Sequence, residues 1–156
     1  MKVLVGADFA GFDLKEVVKS YLVEKGLQVD DVGMFSPDKD IPYYEVAAKA
    51  AKKIQKGEAD KAILFCGTGM GVSIVANKFK GVYASVVESE FGAQHARVIN
   101  DSNVLTMGGF VISEYRAKRI VDLWLDSKFT EGYEHIGEFL SCALDEIKAI
   151  EAETMK

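Results

Sequence analysis

The stretch Ala62-Ile63-Leu64-Phe65-Cys66-Gly67-Thr68-Gly69-Met70-Gly71-Val72-Ser73 constrains this chain more than any other. Its apolar run reads as a buried strand ending in a cysteine. The three glycines read as a turn whose backbone N–H groups can approach a ligand, and the residues after Gly71 as a helix start. A helix start presents unpaired N–H groups and the positive end of the macrodipole, which favours an anion or a developing oxyanion. The same field favours a thiolate at Cys66.

The rest of the chain repeats this strand-then-helix pattern. Residues 1–6 form an apolar strand, and Leu14, Val17, Val18, Tyr21 and Leu22 set a helical period over 14–25. A second strand is expected over 27–32, a polar loop over 33–42, and a helix over 43–55. After the strand at 62–65 and the glycine turn comes a helix to about 78. Strands at 81–87 and 104–107 flank a helix over 91–99, and helices over about 113–125 and 135–153 complete the chain. This alternation predicts an α/β fold: a Rossmann-like three-layer α/β/α sandwich with a five-stranded parallel sheet. Ligands bind such sheets beyond the carboxyl ends of the strands, where Asp8, Cys66-Gly67-Thr68, Glu88 and Gly108 can converge.

At 156 residues and 49% hydrophobic, the chain fits one domain, 1–156. The last helix, about 135–153, is rich in Glu, Lys and Ala beyond Ile147 and is free to project or to pack on a partner subunit. A net charge of −5, with no basic block longer than Lys52-Lys53, argues against nucleic acid. No stretch has signal-peptide character or the length to span a bilayer, so no membrane association and a cytoplasmic location are expected. Two distant cysteines, Cys66 and Cys142, and two histidines, His95 and His135, make neither a disulfide framework nor a zinc pattern, and no metal site is expected.

Each candidate residue also has a plain structural reading. Cys142, with Leu140 and Leu144 nearby, reads as a small packing hydrophobe. Cys66 reads equally as packing or as a nucleophile or base, because it faces the glycine turn. That turn is G-x-G-x-G after the third strand, neither the dinucleotide fingerprint nor a phosphate-binding P-loop. Asp8 is a natural helix cap, residues 100–103 a natural turn, and His95 a surface residue of its helix.

Together, Gly6-Ala7-Asp8 with Ala10-Gly11 and Leu14-Lys15, Asp40 with Pro42, Cys66 to Gly71 running into Ser73, Ala76-Asn77-Lys78, Asn100-Asp101 with Asn103-Val104, and Gly108 resemble one family. It is that of the type B ribose-5-phosphate isomerases and the related two-subunit galactose-6-phosphate isomerases. The resemblance covers almost the whole chain. It implies a homo-oligomer, a dimer or tetramer, whose active site is completed across the subunit interface, and no metal or organic cofactor. Aldose–ketose isomerisation moves a proton between C1 and C2 through a cis-enediolate, which needs a base and a cradle for oxyanions. The resemblance makes Cys66 the base. It assigns the backbone of Gly67, Gly69, Met70 and Gly71 to the enediolate oxygens, Thr68 to a hydroxyl, and Asp8 and Asn100 to the sugar chain.

The departures from the family pattern are as informative. Phe9 and Ile99 stand where the family has histidines, the second of which assists ring opening. Phe110, Tyr133 and Gly137 replace phosphate-gripping arginines, and Ile41 replaces a tyrosine. Contacts to charged groups are worth roughly 1.5–3 kcal/mol each. Losing three therefore costs more than roughly a thousandfold in affinity at ~1.4 kcal/mol per tenfold. The expected substrate is therefore a different small sugar or sugar phosphate: one lacking phosphate, a deoxy sugar resting an apolar end on Phe9, Ile99 and Phe110, or a phosphate held by Arg97, Arg116, Arg119 or His135. Loss of the ring-opening histidine points to a sugar that is already open-chain. The alternatives are a sister subunit that supplies the missing groups, and a non-catalytic sugar-binding protein on the same scaffold.

Overall fold

A computed structural model describes residues 1–155. Five parallel strands, β1 (Lys2–Ala7), β2 (Gln28–Gly33), β3 (Lys61–Cys66), β4 (Ala84–Val86) and β5 (Val104–Gly108), form one sheet in the order β2-β1-β3-β5-β4. Helices α1 (Phe12–Glu24), α4 (Glu90–Val98) and α5 (Glu114–Asp126) cover one face, and α2 (Tyr43–Gln55) and α3 (Met70–Ala76) the other. A last helix, α6 (Gly137–Thr154), follows a short 3₁₀ turn at Glu134–Ile136. None of the described helices is long and apolar enough to cross a membrane.

The central strands are apolar on both sides because helices cover both faces. In β3, Ile63 and Phe65 enter the core beneath α1, α4 and α5, while Ala62, Leu64 and Cys66 enter the core beneath α2 and α3. Side-chain caps set several starts: Asp8 accepts from Gly11 N in the 3₁₀ turn Phe9–Gly11 that leads into α1, Ser89 from Gly92 N at α4, and Ser113 from Arg116 N at α5.

Two elements are shorter than their sequence pattern. α3 stops at Ala76 because the Asn77 side chain bridges both backbone groups of Ala84, accepting from its N–H at 2.8 Å and donating to its carbonyl at 2.9 Å. β4 begins only at Ala84, since Gly81 turns at φ +77° and Tyr83 N donates to the Asn103 side chain at 2.8 Å. Cys142 is exposed rather than packed. It follows buried Leu140 by two residues, which turns it about 200° round the helix, away from that contact.

Lys15 is fully buried, an unusual place for an ammonium. Its Nζ reaches Asp31 at 2.8 Å and the Met34 carbonyl at 2.6 Å, fixing the exit of β2 and the start of the 34–42 loop. At the far edge, Glu151 accepts from Gly81 N at 2.6 Å and from the Tyr83 hydroxyl at 3.3 Å, which docks the later turns of α6 beside β4. Phe139 and Ile150 remain exposed on α6.

Candidate active site

From β1 the chain passes to one edge of the sheet and from β3 towards the other, so the adjacent carboxyl ends of β1 and β3 border a topological switch point. Asp8 and Cys66 stand at those two ends. Cys66 is 5% exposed, and its Sγ accepts the Gly69 N–H at 3.2 Å. An N–H aimed at sulfur stabilises negative charge there. Gly69 adopts φ +78° and rests against the Met107 backbone, so only glycine fits this bend. The Thr68 hydroxyl accepts Met70 N–H at 3.3 Å. The N–H groups of Gly67, Thr68 and Gly71 have no acceptor among the described residues. Since α3 has only seven residues, these individual N–H groups, rather than a long helix dipole, supply the field.

Three loops hold this arrangement by backbone contact. Gly109 N donates to Cys66 O at 2.8 Å and Phe110 N to Gly67 O at 3.0 Å, extending the β3–β5 pairing beyond the strands. A Cβ on Gly108 would meet Thr68 Cα at 2.8 Å, one on Gly109 would collide with the Ala10 carbonyl, and one on Gly11 would meet Cys66 N at 2.9 Å. The loops at 8–11, 67–71 and 108–110 thus form a single wall. Phe110, 79% exposed, lays its ring on Gly67 and, with Phe9, Phe12 and Pro37, lines a cavity of about 400 Å³ beside the loop. Asp13 is the charged residue in that lining, and no lysine or arginine contributes.

Asp8 keeps its capping role, with Oδ1 at 3.1 Å from Gly11 N. Burial holds its carboxyl above the usual carboxylate range, helped by Asp40, while the Gly11 and Ala10 N–H groups oppose the shift.

The remaining sequence-predicted residues lie elsewhere in the chain. α4 starts near the carboxyl ends of the strands and runs back for nine residues, about 13 Å. Ile99 and Asn100 therefore sit near the opposite end of the sheet from Cys66. Asn100 is exposed at a groove shared with Asn77, Tyr83, Ser85 and Leu144. Tyr133 belongs to the same end, anchored by Thr130 N donating to Val98 O at 2.8 Å. Its hydroxyl meets His95 Nε2 at 2.8 Å, while His95 Nδ1 meets Phe91 O at 2.8 Å and the imidazole stacks on Phe91 at 3.8 Å. Of the candidate cations, Arg97 is held by Asp101 and Ser102 O, and Arg119 by Glu90. Arg116 and His135 are exposed, with no ion pair among the described residues.

The sequence pattern described as Ribose/Galactose Isomerase matches residues 3–139. The chain belongs to that family. It is 49% identical over 152 residues to a 4-deoxy-4-sulfo-D-erythrose isomerase from Clostridium sp. (strain MSTE9), covering 97% of this chain and 96% of that one. It is 44% identical over 135 residues to ribose-5-phosphate isomerase B of Escherichia coli (strain K12), covering 86% and 89% of the two chains. Among solved structures, ribose-5-phosphate isomerase B of Clostridium thermocellum matches with a TM-score of 0.90 at 33% identity, over 98% of this chain and 99% of that one. The protein is an aldose–ketose isomerase of this family, with the family's five-stranded parallel sheet flanked by helices.

Proposed function

We propose that the protein isomerises a four-carbon, open-chain aldose carrying an anionic group at C4, with Cys66 as the base. The observation that supports this most is the Cys66 sulfur receiving the Gly69 N–H at 3.2 Å, inside a loop whose Gly67, Thr68 and Gly71 N–H groups are unpaired. As thiolate, Cys66 takes the C2 proton of the aldose and returns it to C1. The loop N–H groups meet the enediolate oxygens as charge develops on them. Thr68 is placed to bond an adjacent hydroxyl, and Asp8 lies across the crevice to orient the chain.

The substrate class rests on the 49% identical relative and on ring chemistry. A tetrose whose O4 is replaced or esterified has no free 4-hydroxyl, so it cannot close a five-membered hemiacetal. Such an aldose needs no ring opening, consistent with Ile99 in place of a histidine. Phe9 and Phe110 offer the C4 methylene an apolar wall.

The cavity lining has Asp13 and no cation, so this chain does not itself neutralise a C4 anion there. A second copy of the chain supplies the rest of the site, bringing the Asn100 and Tyr133 end of one copy to the Cys66 loop of another. The substrate assignment is tested by comparing kcat/KM for 4-deoxy-4-sulfo-D-erythrose, D-erythrose 4-phosphate and ribose 5-phosphate. Preference for either four-carbon substrate supports it, and preference for ribose 5-phosphate contradicts it.

A further inference from the structure

Gly67 and Gly71, at the two ends of the loop, each carry an aromatic ring pressed on the position of the absent Cβ. At Gly67 the ring is Phe110, at 2.8 Å. At Gly71 it is Tyr43, whose Cε2, Cδ2 and Cζ would lie 2.8, 3.0 and 3.2 Å from an added Cβ. The Cys66 loop is therefore bracketed by two aromatic walls of unlike chemistry, one wholly apolar and one bearing a hydroxyl.

Three facts separate Tyr43 from ordinary packing. It is 39% exposed although its ring is flush against backbone. The Tyr21, Tyr83 and Tyr133 hydroxyls bond to Asp122, Glu151 and His95, whereas the Tyr43 hydroxyl, like that of Tyr44, makes no hydrogen bond among the described residues and is free to meet a ligand. The backbone N–H of Gly71, the residue whose Cβ position the ring occupies, is also without an acceptor among the described residues. Two unused donors thus stand at one end of the loop. Ile41, two residues earlier, instead packs against the core beneath α2 and α3, so Tyr43, the first residue of α2, brings the aromatic group to the loop.

We propose that Tyr43 is a further catalytic residue, whose phenol O–H donates to the substrate oxygen seated at the Gly71 end of the loop, alongside the Gly71 N–H. This rests on the reading of the loop as the isomerase oxyanion cradle. The oxygen gains negative charge only as the enediolate forms, so the bond strengthens along the reaction and acts mainly on kcat.

The experiment is steady-state kinetics of wild type and Tyr43→Phe with D-erythrose 4-phosphate and 4-deoxy-4-sulfo-D-erythrose, alongside thermal unfolding of both proteins. Phenylalanine keeps the ring on Gly71 and removes only the hydroxyl. The expected result is a fall in kcat of roughly ten- to hundredfold, the worth of one hydrogen bond to a charged group, with KM changed much less and the thermal midpoint unchanged. Tyr43→His, which restores a ring N–H donor, should recover part of the loss. An active wild type with kcat in Tyr43→Phe within twofold overturns the assignment of Tyr43 and leaves the isomerase reading standing. A KM effect alone makes Tyr43 a ground-state contact and overturns its catalytic role. An inactive, folded wild type overturns both.

Discussion

The Phe110 ring lies on Gly67 with its Cε2 atom 2.8 Å from where a Cβ would stand, so the glycine lets the aromatic wall close on the Cys66 loop. Because Phe110 is 79% exposed, its ring can swing away from an added methyl. Gly67→Ala should therefore keep the fold but lower activity by opening the cavity wall. Gly109→Ala should behave differently, since its methyl would run into the Ala10 carbonyl and the Gly11 backbone, which cannot swing. Overpacking of this kind costs about 1–3 kcal/mol. Urea denaturation should show that loss for Gly109→Ala and nearly none for Gly67→Ala.

Lys15→Met should destabilise the fold. The ammonium is fully buried against Asp31, itself mostly buried, and the Met34 carbonyl. Removing one partner of a buried pair costs about 3–5 kcal/mol when the other charge is left uncompensated; here Lys19 Nζ still meets Asp31 at 2.9 Å, so the loss falls below that range. The loss would appear in urea midpoints, with activity falling too as the 34–42 loop loosens ahead of Tyr43.

How much of this was legible in the sequence follows from what is local. The strand, glycine turn and helix around Cys66 were readable because apolar runs and glycines act within a few residues of themselves, and the alternation of elements led to the parallel sheet. Asp8 proved to be the cap its residue type suggests, at the crevice as well. What escaped depends on topology. Nothing near Lys15 marks it as buried, since Asp31 and the Met34 carbonyl, which hold it in the interior, lie 16 and 19 positions away. Tyr43 on Gly71 is a contact between α2 and α3 that no periodicity encodes. The placement of Ile99 and Asn100 away from Cys66 appears only once α4 is seen to run back along the sheet.

Lys61 predicts a pH dependence of stability. Burial, with the nearby Arg97 charge adding to it, lowers its ammonium from the ordinary 10.5 to about 8. The Trp124 ring, 4.8 Å from Nζ, attracts the charged form and works against that shift. Between these two values the unfolded chain holds this proton more tightly than the folded one, so the contribution of Lys61 to stability rises with pH across the window. Below about 8 the charge is present in both states and its burial opposes folding. Melting temperatures from pH 7 to pH 10.5 should therefore climb more, or fall less, in wild type than in Lys61→Met. Parallel curves would refute the shift.

Subunit mixing addresses the second copy. If one copy gives the Cys66 loop and another gives the Asn100 and Tyr133 end, inactive Cys66→Ala and inactive Asn100→Ala proteins should regain part of the activity when unfolded and refolded together. Each mixed pair then contains one intact site. No recovery, with mixed oligomers confirmed by mass, would place the whole site in one chain.

The most direct measurement is proton NMR in D2O, following deuterium entry at C1 and C2 of 4-deoxy-4-sulfo-D-erythrose and D-erythrose 4-phosphate with wild type and Cys66→Ala. A positioned base contributes roughly 10²–10⁴-fold. Exchange should be rapid with wild type and slowed by about that factor in the folded variant. Equal exchange by the two proteins would contradict Cys66 as the base, and no exchange from any sugar by folded wild type would contradict the proposed reaction itself.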